Sequence, residues 1–210
     1  MSFLSKHFYK KFSGFTLVEM LVSIGIMLLI ISVVVMNQSK YTSTISLNNQ
    51  ADEISLRLSE AQAYGVGVKE SNTGSGIFNI AYGLSFSQLL NPGGSNTSYI
   101  IFADLDNDRI YGADWTCPSG GECLEKVNII NNNSIQSICA IRIGVADDCQ
   151  VGRVDISFLR PYTIATLKFF NLGGNPFDPG QVMGVRVTLT NTSGNTRSVG
   201  VYTTGQISVQ

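Results

Sequence analysis

Apolar residues run almost without interruption from Phe15 to Met36, and Glu19 is the only charged side chain among them. The run meets the ~20 residues that a helix needs to cross the hydrocarbon of a bilayer, so a membrane-spanning helix is predicted over residues 15–36. Past it the pattern changes. Leu47, Ala51, Ile54, Leu58 and Ala61 recur at intervals of four, three, four and three, while Asp52, Glu53, Arg57 and Glu60 fall between them. That spacing draws one apolar seam along an amphipathic helix, so residues 37–64 read as the continuation of the same helix with one face in need of a partner. Continuous from Phe15 to Tyr64, it would reach roughly 75 Å at 1.5 Å per residue. The simplest partner for the seam is the C-terminal part of the chain itself.

From residue 65 onward the period shortens to two. The runs "GIFNIAYGLSF", "SYIIFADLD", "KVNII", "CAIRIGV", "RVDISFL", "ATLKFF", "GVRVTLT", "RSVGVYT" and "GQISV" are separated by Gly, Asn and Pro. Alternation punctuated by turn residues predicts mainly antiparallel strands, and "NTSGN" reads as the turn of a hairpin between "GVRVTLT" and "RSVGVYT". The expected fold class is therefore α+β: a long N-terminal helix, its first half transmembrane, packed on a C-terminal antiparallel β-sheet domain over 65–210.

Composition sharpens this. Lys and Arg total 14 against 15 Asp and Glu, for a net charge of -1. Three of the cations, Lys6, Lys10 and Lys11, stand before the apolar run, so the remainder is more acidic still. No general basic surface for nucleic acid is expected. Lysines on the N-terminal flank keep that end cytoplasmic and send the C-terminal domain across the membrane. The four cysteines, Cys117, Cys123, Cys139 and Cys149, all lie in that domain, which fits an oxidising compartment and two disulfides. Four cysteines allow three pairings; the short loops favour Cys117–Cys123 and Cys139–Cys149. A zinc site is the rival, but neither spacing is usual for zinc and the one histidine, His7, lies before the apolar run. A secretory signal peptide is a poorer reading of the N-terminus. Its apolar core is usually ~7–15 residues and ends at a small-residue site, whereas "VVVMNQSKY" offers none.

The segment "SGFTLVEMLVSIGIMLLIISVV" resembles the N-terminus of type IV prepilins and type II secretion pseudopilins. In that family a prepilin peptidase cuts after a glycine and methylates the new N-terminal residue. The resemblance assigns residues 1–14 to a basic leader, Gly14 to its last position, Phe15 to the N-methylated mature terminus, and Glu19 to the family's assembly glutamate. It implies prepilin peptidase and other pilin or pseudopilin subunits as partners. It also implies residence in the cytoplasmic (inner) membrane with the C-terminal domain outside, followed by incorporation into a fibre of the envelope or exterior. "LRLSEAQAYGVGV", "YIIFADLDNDRIYG" and "VRVTLTNTSGNTRSVGVYTTGQISV" are similar to segments of the FimT and GspH branch, the minor pilins and minor pseudopilins. The stretch from Trp115 to Cys149 and the "GGNPFDPG" loop read as insertions.

A physical argument stands beside the resemblance. Glycine at position 14 lets a protease approach the backbone closely. A carboxylate inside a bilayer helix costs about 2.5–3.5 kcal/mol on insertion scales and calls for a partner. In a stack of parallel helices the α-amine created at Phe15 of one subunit can reach Glu19 of the next. Alternatively Glu19 rests at the headgroup level.

Other chemistry is sparse. Asp104, Asp106 and Asp108 alternate in "DLDND", and three carboxylates in one turn can converge on calcium. The EF-hand pattern is broken, because Arg109 takes the glycine position and Trp115 that of the bidentate glutamate. A polar turn closing a buried strand is the plain alternative; otherwise no cofactor is expected. No histidine follows the leader, which excludes Ser-His and Cys-His catalysis there, and Asp147 with Asp148 read as a solvated loop pair rather than an acid-base couple. The chain is expected not to be an enzyme. Two functions remain: a minor pseudopilin or pilin that serves protein secretion by assembly, or a tip-located minor pilin that binds DNA or a surface. Arg186 and Arg197 flank the hairpin without forming a cluster, so nucleic acid is not favoured.

Overall fold

The computed structural model describes residues 14–67, 69–70, 76, 78–89, 93–112, 115–117 and 121–210. The leader lysines and His7 lie outside them. The chain divides into two compact units, Met1–Tyr41 and Thr42–Gln210.

In the first unit, helix α1 (Leu17–Val66) begins at once after Thr16. From Leu17 through Met36 its large apolar side chains are exposed, and it is long and apolar enough to cross a membrane.

Among the described residues the second unit contains the rest of α1 and nine strands: β1 Ala81–Ser87, β2 Ser98–Asp104, β3 Cys123–Asn128, β4 Ser134–Arg142, β5 Val151–Phe158, β6 Ala165–Asn171, β7 Val182–Thr190, β8 Thr196–Tyr202 and β9 Ile207–Val209. All pairings are antiparallel, in two sheets ordered β3-β2-β1-β5-β6 and β4-β7-β8-β9. The long helix packed on antiparallel sheets is the α+β architecture expected from the periodicities, and it is pilin-like, as the resemblance implies. Every residue of the helix seam, Leu47, Ala51, Ile54, Leu58 and Ala61, is buried in one core with Leu84, Phe86, Val154, Ile156 and Phe158 of the first sheet and Ile138, Val187, Leu189 and Val199 of the second. Each large aliphatic side chain so buried contributes about 1.5–3 kcal/mol.

Polar contacts flank the seam. Asn191 donates to Ser43 Oγ at 2.9 Å, Asn131 to Ser46 Oγ at 2.7 Å, Arg197 Nε to Asn48 Oδ1 at 2.6 Å, and Ile130 N to Gln50 Oε1 at 3.2 Å. Near the C-terminal end of the helix, Gln62 Nε2 donates to the carbonyls of Thr163 and Gly205. The hairpin turn is held by Asn191 Oδ1, which accepts from the N–H groups of Ser193 and Asn195.

The helix also meets β5 closely at Gly65. A Cβ there would lie 2.2 Å from the Phe158 carbonyl oxygen and 2.7 Å from its carbon. Alanine normally stabilises a helix over glycine by about 0.8–1.0 kcal/mol. At this position overpacking wins, and Gly65→Ala is expected to destabilise the protein by about 1–3 kcal/mol, read as a lower urea midpoint. A raised midpoint would show that the backbones do not need this approach.

β1 is buried on both faces, although "AYGLSFS" alternates like a half-wet strand. The outer face of the first sheet is covered by the segment linking β2 to β3, which builds a second cluster from Ile100, Phe102, Tyr111 and Trp115. Gly83 makes room for it: a Cβ there would come within 2.8 Å of the Phe102 ring.

Candidate functional site

Gly14 to Thr16 have no regular structure, and among the described residues a Cβ on Gly14 would meet nothing within 4 Å. Phe15 is 75% exposed. Thr16 then caps α1: its Oγ1 accepts the Glu19 N–H at 3.2 Å and its carbonyl accepts the Met20 N–H at 3.2 Å. Thr16-Leu17-Val18-Glu19 carries the Thr-x-x-Glu signature of a capping box, in which the capping hydroxyl takes the third N–H of the helix. The sequence reading missed this role, although the signature was there to find. Glu19 sits in the first turn, where the positive end of the helix dipole favours a carboxylate. Among the described residues no ion pair engages it. The site thus offers a Gly-Phe bond beside an exposed Phe15, a capped helix start and a carboxylate that no cation engages among the described residues, followed by an exposed apolar helix.

The second grouping lies in the domain. The strap between β2 and β3 starts with the turn of Asp104, Asp106 and Asp108, each of which offers an oxygen within 4.8 Å of the others. Asp106 Oδ1 accepts from Asp108 N, Asp108 Oδ1 from Ile110 N, and Asp104 Oδ2 from Arg109 N. Glu122, at the far end of the strap, closes it: Oε1 accepts from Leu105 N at 3.0 Å and Oε2 from Gly112 N at 2.8 Å. Burial pushes the carboxyls of both Asp104 and Glu122 above the usual range, against hydrogen bonds that pull the other way. Farther along, Trp115 Nε1 donates to Ser98 Oγ at 2.9 Å, Lys126 Nζ to the Trp115 carbonyl at 2.9 Å, and Cys117 is bonded to Cys123.

The strap is pinned to the sheet by Asp155 and Arg153 of β5. Asp155 is wholly buried; it accepts from Ser85 Oγ at 2.5 Å, Tyr111 N at 3.0 Å, and Arg153 Nε and Nη2 at 2.9 and 2.6 Å. Arg153 Nη2 also donates to the Tyr111 carbonyl at 2.5 Å, and the guanidinium lies 4.7 Å from the centre of the Phe170 ring. Nothing in the alternation of "RVDISFL" distinguishes this aspartate from a solvated one.

The second disulfide joins Cys139 and Cys149, and Arg186 pairs with Asp147 in the loop it closes. Asp148 Oδ1 accepts from Gln150 N instead of meeting Asp147.

Residues 9–35 match the family model described as the prokaryotic N-terminal methylation motif. Comparison with curated proteins and with solved structures finds no match. The motif falls on the segment in which Gly14, Phe15, Thr16 and Glu19 start the exposed helix. It supports a type IV pilin-like or pseudopilin precursor that is a substrate of prepilin peptidase, and the apolar helix that follows suits membrane anchoring.

Proposed function

We propose that the chain is a structural minor pseudopilin or minor pilin: it is cut after Gly14, methylated at Phe15, and assembled through its N-terminal helix into a type II secretion pseudopilus or type IV pilus-like fibre. The observation that carries this reading is the exposed apolar helix from Leu17 to Met36, which lies almost wholly within the matched motif and bears one carboxylate, Glu19, that no ion pair engages among the described residues. A helix so apolar on every side has two environments open to it, lipid and a bundle of its own kind. Glu19 makes the bundle the better one once a cationic terminus is at hand. The leader lysines place the N-terminus on the cytoplasmic side, and the two disulfides agree with a domain carried outward.

The role is mechanical rather than enzymatic: residues 15–210 contain no histidine, and the buried ion pair Arg153–Asp155 is spent on holding the strap. DNA capture at a fibre tip is the weaker alternative, because Arg186 is engaged by Asp147 and Arg197 by Asn48 rather than presented together. Mass spectrometry of the protein from a host with a prepilin peptidase tests the reading. The expected N-terminal peptide starts at Phe15 and carries one added methyl group. A chain that keeps residues 1–14 in such a host would falsify the processing.

A further inference from the structure

The turn at the start of the strap has a property that a merely polar turn lacks. Asp104 is completely buried, and its Oδ1 has no hydrogen-bond partner. A buried carboxylate oxygen left unpaired is costly, and burial of the anion is offset only by a cation or further donors. Arg109 does not supply the compensation at that oxygen: its Nε lies 3.7 Å from Oδ2, the other oxygen, and its own Nη1 is buried without a partner. Asp106 and Asp108, both exposed, bring their oxygens to within 4.8 Å of that of Asp104.

The backbone adds to this. In the calcium loop of an EF-hand the ligands at positions 1, 3 and 5 precede a glycine at position 6 that takes the sharp turn. Here the sixth position is Arg109, and it adopts φ +68°, the left-handed conformation for which glycine is ordinarily required. The substitution that breaks the motif in the sequence has left its conformation in place.

We propose that Asp104, Asp106 and Asp108 form a binding site for a hard divalent cation, calcium, which ties the start of the strap to the end of β2. The rest of the coordination comes from water and backbone oxygens, because Glu122 is occupied by two N–H groups and Trp115 offers no carboxylate. With three carboxylates and no bidentate glutamate, the affinity belongs to the weak class of extracellular modules, Kd ~10⁻⁴–10⁻³ M. Calcium would then hold the turn that leads the strap over Ile100 and Phe102, doing on one side what Cys117–Cys123 does on the other.

The test uses the full chain in detergent, stripped of metal with a chelator and then titrated with calcium chloride by calorimetry and thermal unfolding. One calcium per chain is expected to bind, with Tm rising about 3–6 °C at a tenfold excess over Kd. The variant Asp106→Asn/Asp108→Asn keeps the side-chain oxygens that accept from Asp108 N and Ile110 N, so it folds without metal. It is expected to lose at least tenfold in calcium affinity, and with it the shift. Arg109→Gly, which removes the neighbouring positive charge, is expected to bind calcium more tightly. The proposal is overturned if the wild-type chain gives neither heat nor a Tm shift at ~10 mM calcium, ten times the weakest Kd of that class. It is equally overturned if the double variant shifts as much as the wild type, since the effect is then one of ionic strength.

Discussion

Arg153→Met is expected to lower stability by about 3–5 kcal/mol, the loss typical of removing one partner from a buried ion pair. The size follows from what stays behind. Asp155 keeps Ser85 Oγ and Tyr111 N as donors but loses both contacts from the guanidinium, and it has no exposure through which water could replace them. Methionine fills much of the space against Phe170 and adds no charge. The Tyr111 carbonyl loses a donor as well, so the strap loosens over Ile100 and Phe102. The informative comparison is Arg153→Met/Asp155→Asn. With both charges gone, the asparagine amide can still meet the Ser85 hydroxyl and the Tyr111 N–H, and at least half of the loss should return. The midpoints of the wild type, both single variants and the double variant form a cycle that isolates the coupling. A single variant within ~1 kcal/mol of wild type would mean that the carboxylate is hydrated after all, and a double variant as unstable as the single would mean that packing, not charge, was lost.

The same network shows where the sequence could be read and where it could not. The seam Leu47, Ala51, Ile54, Leu58 and Ala61 is legible because a helix repeats its face every three to four residues, and burial follows that rule without exception along it. The strands are legible through alternation and turns. Their division between two sheets is not, because alternation says which residues share a face and nothing about which edges pair. Nor does it tell a covered face from a wet one. Gly83, Ser85 and Ser87 look like the solvent side of β1, yet Ser85 is fully buried on Asp155 beside the strap that departs from β2 and returns at β3, and Ser87 is fully buried against Gly94 and the Leu89 N–H. The strap itself carries few apolar residues; it is held by backbone hydrogen bonds to Glu122 at its own end and to Asp155, which lies 44 positions from Tyr111 in the chain. At the N-terminus, by contrast, everything relevant is local. The motif, the cap at Thr16 and the apolar run occupy consecutive residues, so they can be read directly.

Glu19→Ala is expected to reduce incorporation of the protein into fibres by about a hundredfold or more while leaving membrane insertion and cleavage after Gly14 intact. The helix start tolerates the change, because the hydrogen bond to Thr16 Oγ1 comes from the backbone N–H of residue 19 and survives in alanine. In lipid the variant is the more comfortable one, by at most the about 2.5–3.5 kcal/mol that a carboxylate costs at the centre of a bilayer helix, since Glu19 lies in the first turn. In the fibre it lacks the group that would meet a neighbour's Phe15 amine. Both changes act in the same direction on transfer from membrane to fibre, and 1.4 kcal/mol is already a factor of ten, so the membrane term and the lost ion pair together reach the stated loss. Glu19→Gln separates charge from shape. It keeps the size and some of the polarity but cannot form the ion pair, and it should assemble poorly even though it packs like the wild type. Fibre and membrane fractions from the same cells, probed for the C-terminal domain, give the ratio directly. If Glu19→Ala partitions into fibres like the wild type, the carboxylate is not an assembly contact; if Glu19→Gln alone does so, the contact is a hydrogen bond that needs no charge.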